Sequence, residues 1–320
     1  MMRYTVGSES MKPNDGWRPT RLEEALGPAA GRFFGAGYRT VKHKLEGERK
    51  DPDVFEGVGH VSYPEDWSVR EDGTRRTPHL STIDAVTLPL QAISRTWHRP
   101  PGEFVSAIHL RAGSQPWLDL ETVPVVIQPT AAPEGAAFSR SFTASVGNIK
   151  ARLCFSVHSS STVDANPCQP GATNIYEELY RGTDCATTLT SFDSSSGDLE
   201  AAHEFTRPAE AQRTPVGLEC EFWPSMTVVD YLVTMGQIVQ VLMAERQGAD
   251  REAGQLWMRT MSIQLPNSPA PLPASITSRT APTHERLIER EGRRIQLIAT
   301  DSSTSTGVRV AAQLAHVEER

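Results

Sequence analysis

STIDAVTLPLQAISRTW at residues 81–97 and TVVDYLVTMGQIVQVLM at residues 227–243 read as two versions of one helix. Aligning Asp84 with Asp230 brings Gln91 onto Gln237, both pairs lying 146 positions apart. In the first segment Ile83, Val86, Leu90, Ile93 and Trp97 recur at steps of three and four, and in the second Val228, Leu232, Met235, Val239 and Leu242 do the same. That is the period of one helical face, so each segment is expected to lay an apolar stripe on a sheet. Asp and Gln seven residues apart are nearly two turns apart, one above the other on one side of each helix. Pro89 disturbs the first segment, because proline removes a backbone hydrogen bond and crowds the preceding turn. Either the helix bends there, as the second is expected to bend at Gly236, or it ends at Leu88 and continues as loop.

The flanks repeat in the same order. Upstream, His60 in GVGHVSYPEDW matches His203 in LEAAHEFTRPAEA. Downstream, EFVSAIHLRAGSQP (103–116) parallels QLWMRTMSIQLPNSP (255–269), each a strand that ends in a Ser/Pro turn. Further on, GNIKARLCFSV (147–157) parallels GVRVAAQLAHV (307–317), with apolar residues alternating along much of each run. Each half therefore reads as strand, long loop, central helix, then several antiparallel strands. This predicts an α+β fold, a double hotdog, in which a curved antiparallel sheet wraps one helix in each of two tandem units. The expected boundaries are an extension over 1–29, a first unit over 30–158, a linker over 159–197 and a second unit over 198–320. The linker rests on HSSSTVDANPCQPGATN, rich in Ser, Asn, Pro and Gly, followed by IYEELYRG, which reads as one or two helical turns.

The bulk properties agree with two globular units. A chain of 320 residues accommodates two domains, each with its own core. The net charge of −7 gives no electrostatic footprint for nucleic acid. The start, MMRYTVGSESMKPNDGW, lacks a basic segment followed by an apolar one, and no run approaches the roughly 18 uninterrupted apolar residues of a membrane span. A cytoplasmic protein without membrane partners is expected. Cys154, Cys168, Cys185 and Cys220 are 14, 17 and 35 positions apart, matching neither zinc ligation nor a disulfide framework, and read as reduced thiols. In the strand ARLCFSV, Cys154 is a packing residue rather than a nucleophile.

The helix N-termini hold the residues able to do chemistry. Double hotdogs act on acyl thioesters, and a helix N-terminus suits that substrate, because its unpaired N–H groups and positive dipole end stabilise an oxyanion on the carbonyl. At the first helix the candidates are His79, Ser81, Thr82 and Asp84 in TPHLSTIDA, and at the second Ser225, Thr227 and Asp230 in PSMTVVD. Ser81 and Thr227 are also ordinary N-caps, and Asp in a first turn complements the dipole, so a purely structural reading stands beside the functional one. His79 is the best general base or acid, since imidazole titrates near neutral pH; its alternative is a plain loop histidine. His79, Asp84 and Asp230 are thus the catalytic candidates, with Ser81, Thr82, Gln91 and Gln237 as substrate-binding candidates. His60 and His203 read as satisfied strand residues. Arg70, Arg75 and Arg76 in SVREDGTRR could meet a phosphate or an acidic carrier protein, or simply form a solvated loop. No HExxH, GxSxG, Walker or GxGxxG pattern occurs in meaningful company, so neither metal nor nucleotide cofactor is expected.

RFFGAGYRTV (32–41), VSYPEDWS (61–68) and PHLSTIDAVTLPLQ (78–91) together resemble the avirulence protein D family of plant-associated bacteria, PHLSTIDA being the most distinctive piece. The resemblance implies secondary metabolism of the syringolide type, related to the hotdog enzymes that make γ-butyrolactone signals. The implied reaction is a β-ketoacyl transfer or condensation that joins a β-ketoacyl thioester to a keto sugar such as xylulose or to a triose phosphate. Its partners would be a β-ketoacyl carrier protein or an acyl-CoA, and the chain would work as a monomer or homodimer. His79, Asp84 and Gln91 lie in the shared segment and carry over as plausible site residues. Two other readings stay open: a dehydratase or thioesterase on the same scaffold, and a non-catalytic acyl-binding or effector protein.

Overall fold

The computed structural model describes residues 17–51, 53–65, 67–69, 73–132, 138–158, 172–208, 214–247, 254–290 and 293–318. The first half runs β1 (Thr20–Arg21), α1 (Leu22–Leu26), β2 (Lys42–Asp51), β3 (Val54–Ser62), α2 (Thr82–Thr96), β4 (Glu103–Arg111), β5 (Val123–Thr130), β6 (Arg140–Val146) and β7 (Ile149–Val157). The second runs β8 (Thr173–Asn174), β9 (Asp184–Phe192), β10 (Leu199–Thr206), β11 (Pro215–Val216), α3 (Val228–Gln247), β12 (Gly254–Gln264), β13 (Ala274–Arg290), β14 (Arg293–Thr304) and β15 (Arg309–Glu318). Among the described residues one large antiparallel sheet has the order β1-β9-β10-β13-β14-β15-β12-β4-β7-β6-β5-β3-β2.

That order contains one pattern twice. Outward from the middle, the first half reads β4-β7-β6-β5-β3-β2 and the second β12-β15-β14-β13-β10-β9, strand for strand the same sequence of connections. The pairs matched by sequence, β4 with β12 and β7 with β15, hold equivalent places. β4 and β12 join the halves edge to edge, with Leu110 opposite Met261 and Ile108 opposite Ile263. The arrangement, a curved antiparallel sheet around a central helix, is of the hotdog type.

Both helices are buried on all sides rather than along one stripe. Every residue from Ile83 to Ile93 is buried, and so is every residue from Val228 to Val239. The sheet covers one side of α2, through β2, β3, β5, β6 and β7. The remainder is covered from the other half. Gln91 Nε2 donates to the Tyr176 carbonyl at 2.9 Å, Arg95 reaches Glu177, and Asn174 donates to Ser94 Oγ. Reciprocally, Arg32 donates to Gln237 on α3 at 2.6 Å, and the Phe34 ring lies 3.1 Å from where a Cβ at Gly236 would stand. Gly236 is therefore a point of close approach on a helix that continues through it.

Several expectations change. α2 continues through Pro89 to Thr96, so it does not end at Leu88; burial of its whole middle outweighs one lost backbone bond. Trp97 is the C-cap and only partly buried. The linker expected over 159–197 contains a strand, since β9 pairs with β10 along its length. The expected extension also contributes, as β1 adds to β9 and α1 packs on α3. IYEELYRG supplies a 3-10 turn, Leu179–Gly182. Val228–Arg246 has the length and composition of a membrane span, with mean hydropathy 1.2, and is 78% buried inside the fold. Cys154, Cys185 and Cys220 are free thiols, Cys154 fully buried; Cys168 and Arg70 lie outside the described residues.

Candidate active site

Ser81 and Asp84 close the N-terminal end of α2 as a reciprocal capping box. Asp84 N donates to Ser81 Oγ at 3.2 Å, while Ser81 N and Ser81 Oγ donate to Asp84 Oδ2 at 2.7 and 2.8 Å. The carboxylate has further partners. Tyr63, just beyond β3, donates its hydroxyl to Oδ2 at 2.6 Å, and His43 on β2 places Nε2 2.6 Å from Oδ1. The His43 and Asp84 side chains are each 1% exposed, so this is a buried polar cluster. Arg181 settles the imidazole's tautomer. Its Nη2 lies 3.1 Å from His43 Nδ1, and guanidinium can only donate, so Nδ1 accepts and Nε2–H points at Asp84. Burial pushes the Asp84 carboxyl up, but the hydrogen bonds from His43, Tyr63 and Ser81 outweigh it and hold the group below its ordinary value. Burial and the neighbouring carboxylate drive the Tyr63 phenol well above its usual range, keeping it a donor.

The second half has a different set of residues at the matching places. Asp230 Oδ2 accepts from Thr227 N at 2.6 Å and Thr227 Oγ1 at 2.9 Å, which repeats the cap. Cys185 takes the place of His43, each standing four residues after the arginine of a Tyr-Arg pair, Tyr38-Arg39 and Tyr180-Arg181. Arg207 takes the place of Tyr63, each directly before a proline. Its guanidinium lies 3.9 Å from the Trp223 ring centroid and donates to Leu179 O and Thr183 Oγ1. With no imidazole beside it, burial prevails and the Asp230 carboxyl is raised, despite Thr227 and Arg207.

A cleft of about 220 Å³ opens between the halves at the start of α2. One end holds His79, Ser81 and Thr82; the walls are Phe33, Phe34, Trp67, Trp117, Met243, Trp257, Met258 and Met261; Gln240 and His316 add polar groups from the second half. His79 stacks on Trp257 with centroids 5.3 Å apart and meets Trp67 edge-on at 6.2 Å. Burial pushes its imidazole below the ordinary value, so it is neutral and able to accept a proton at pH 7. Ser81 Oγ connects the cleft to the Asp84 cluster. The first-turn N–H groups of Thr82 and Ile83 have no acceptor within the helix, which leaves donors at the same end.

The structure brings His79, Ser81 and Thr82 together on the cleft and places Asp84 directly behind Ser81. It does not bring the other sequence candidates there. Asp230 caps α3 away from the cleft, and Gln91 and Gln237 are used in holding Tyr176 and Arg32, so the expected role of both amides in substrate binding has no geometry at this cleft. Arg75 pairs with Glu65 at the surface, while Arg76 lines the cleft. His203 is a satisfied core residue between Thr187 and Ser278, with its pKa lowered by burial to about 4. His43 and Tyr63 were missed. The recurring Tyr-Arg pair was the available signal, because it marks the strand start on which His43 follows. Among the described residues no group of three His, Cys, Asp or Glu is placed to hold a metal.

A hotdog-type sheet with an aromatic-walled cleft at a helix N-terminus defines the class of protein to which this chain conforms. It belongs to the family described as Pseudomonas avirulence D protein (AvrD), whose sequence profile matches residues 20–317. No curated protein matches the chain. Among solved structures it is similar to the TesB protein of Mycobacterium avium subspecies paratuberculosis, with 14% identity and a TM-score of 0.43 over 93% of this chain and 99% of that one. It is likewise similar to an acyl-CoA thioesterase II, TesB2, of Mycobacterium marinum, at 13% identity and a TM-score of 0.44 over 93% and 98%. The dehydratase domain from the CurJ module of curacin polyketide synthase follows at 13% identity and a TM-score of 0.39, over 86% and 96%.

Proposed function

We propose that the chain is a double hotdog enzyme, a β-ketoacyl transferase that joins a β-ketoacyl thioester to a keto sugar or triose phosphate. The double hotdog is supported by the strand order that repeats on either side of the β4–β12 joint. The reaction rests on one observation, an apolar cleft that ends at His79, Ser81 and Thr82 on a helix N-terminus. In this reading the acyl chain lies along the aromatic and methionine wall, and the thioester carbonyl faces the first-turn amides of α2, where its oxyanion is stabilised. His79 takes the proton of the acceptor hydroxyl as that oxygen attacks the carbonyl; collapse breaks the C–S bond and returns the proton to the departing thiolate. Asp84, through Ser81, fixes the geometry of this end. An aldol-type closure would then give a ring.

The test is mass spectrometry of the protein incubated with a β-ketoacyl thioester and a panel of keto sugars and triose phosphates. A new mass equal to acyl plus acceptor sustains the proposal. Free β-keto acid would move the reading to a thioesterase, and loss of water from a β-hydroxyacyl thioester offered in a parallel incubation would move it to a dehydratase, while intact thioester throughout would leave a binding protein. His79→Ala and Asp84→Asn are each expected to lower turnover at least tenfold in folded protein, and full activity in both would remove the assignment.

A further inference from the structure

The central strands carry basic residues at outward-facing positions where, among the described residues, no acid meets them. On β4 and β7, Arg111 lies directly opposite Lys150, and His109 directly opposite Arg152. Inward-facing neighbours Ile108, Leu110, Ala151 and Leu153 are buried, so the four basic side chains share the opposite, solvent face. Strand spacing of roughly 4.8 Å and a repeat of roughly 6.7 Å between alternate residues make this a compact two-by-two cluster. Like charges directly opposite across strands are unfavourable. Burial and the adjacent Arg152 accordingly hold the His109 imidazole below its ordinary value.

Among the described residues compensation is absent nearby. Along the row from His109 the register leads through Ser262 and Ala311 before the first carboxylate, Asp301, three strands away. Along the row from Lys150 it leads through Ser145 and Val126 to Glu56, also three strands away and already paired with Lys50. None of the four forms an ion pair with a carboxylate among the described residues. Yet the chain as a whole carries a charge of −7. The cluster also has a definite place. Ala112 and Gly113 follow Arg111, Asn148 and Ile149 precede Lys150, and all four of these neighbours line the cleft.

We propose that this outward face of β4 and β7 docks an acidic carrier protein, which delivers the β-ketoacyl thioester into the cleft beside it. The proposal rests on the thioester reading for the identity of the cargo. Four basic side chains spread over the outward face of two strands suit the charged face of a second protein, and complementary charge both speeds encounter and fixes orientation. The partner's negative groups would relieve the repulsion that the free protein sustains.

The experiment compares one acyl chain on an acidic acyl carrier protein, on coenzyme A and on pantetheine, using the wild type, Arg111→Glu/Arg152→Glu, and the milder Arg111→Gln/Arg152→Gln, each checked for folding by circular dichroism. The expected result is a KM for the carrier-bound substrate that rises tenfold or more in the reversed variant and less in the neutral one, with acyl-pantetheine turnover unchanged. Equal KM in all proteins overturns the proposal. So does a wild-type preference for acyl-CoA over acyl-pantetheine that the variants lose without any preference for the carrier, since the face would then serve nucleotide phosphates. If no form of the thioester is turned over, the reaction reading fails and the docking is judged by binding of the carrier protein: salt-sensitive binding lost in the reversed variant sustains it, and equal binding overturns it.

Discussion

Replacing His43 by Leu tests the buried cluster most directly. The substitution keeps most of the side-chain volume but removes the Nε2–H donor that faces Asp84 Oδ1 at 2.6 Å, at a site where both side chains are 1% exposed. A hydrogen bond to a charged group contributes about 1.5–3 kcal/mol. The loss should lie in that range at pH 8, because water cannot replace the donor. With Asp84→Asn already present the carboxylate is gone, and the same His43→Leu change should cost under about 1 kcal/mol, so a double-mutant cycle returns most of the effect as coupling. Urea unfolding followed by tryptophan fluorescence provides the four energies. The pH dependence has a defined sign. Asp84 is held below its ordinary value, so its stabilisation is complete above about pH 4, the unfolded carboxylate range, and is lost as pH falls through the folded value. Without His43 the burial effect is less opposed, the folded value moves up, and the difference between the two proteins should shrink as the pH is lowered, so the variant loses less stability on acidification than the wild type. A coupling below about 0.5 kcal/mol, together with the same loss of stability on acidification in both proteins, would show that His43 does not hold the carboxylate in the way described.

Glu219 should act in the opposite sense. Burial raises it to about 7 against hydrogen bonds from Tyr176 and Val105, so the folded state takes up a proton there and stability declines as pH rises from about 4.5 toward 7, by up to about 3 kcal/mol. Glu219→Gln should flatten that slope in thermal midpoints measured across the window, and an unaltered slope would assign it elsewhere. Arg111→Thr should stabilise the free protein by about 0.2–1 kcal/mol by removing the cation directly opposite Lys150, and destabilisation in urea titrations would contradict the repulsion argued for that face. Met261→Trp, placed on the cleft wall, should shift acyl selectivity toward shorter chains in a competition of chain lengths read by mass spectrometry; an unchanged profile would place the chain elsewhere.

The two helices and the matched strand pairs were legible because their apolar residues keep strict periods. β9 was not, and its residues say why. DCATTLTSF turns Thr187 and Leu189 inward, so only one of its buried positions is apolar, and a Ser/Thr-rich run reads as linker. The same holds across the second half, where His203, Ser278, Thr280, Thr300 and Ser302 are buried and mask the alternation that the first half displays. At the site, capping rules pointed to Ser81 and Asp84, and proximity to the helix start pointed to His79. Sheet register alone brings His43 and Tyr63 to Asp84 from 41 and 21 positions away. The Asp/Gln spacing was real but served a different end: each Gln anchors the lead segment of the opposite half.

That exchange has a practical consequence. A first fragment ending at His158 would keep Arg32 and Phe34 but lose Tyr176, leaving α2 without its cover; a second beginning at Thr173 would keep Tyr176 but lose the cover of α3. Neither piece could complete its interior alone, yet each carries what the other lacks. Expressed on separate tethers, the two should reconstitute only when brought together, which makes this chain a natural scaffold for a fragment-complementation reporter whose signal is the cleft itself.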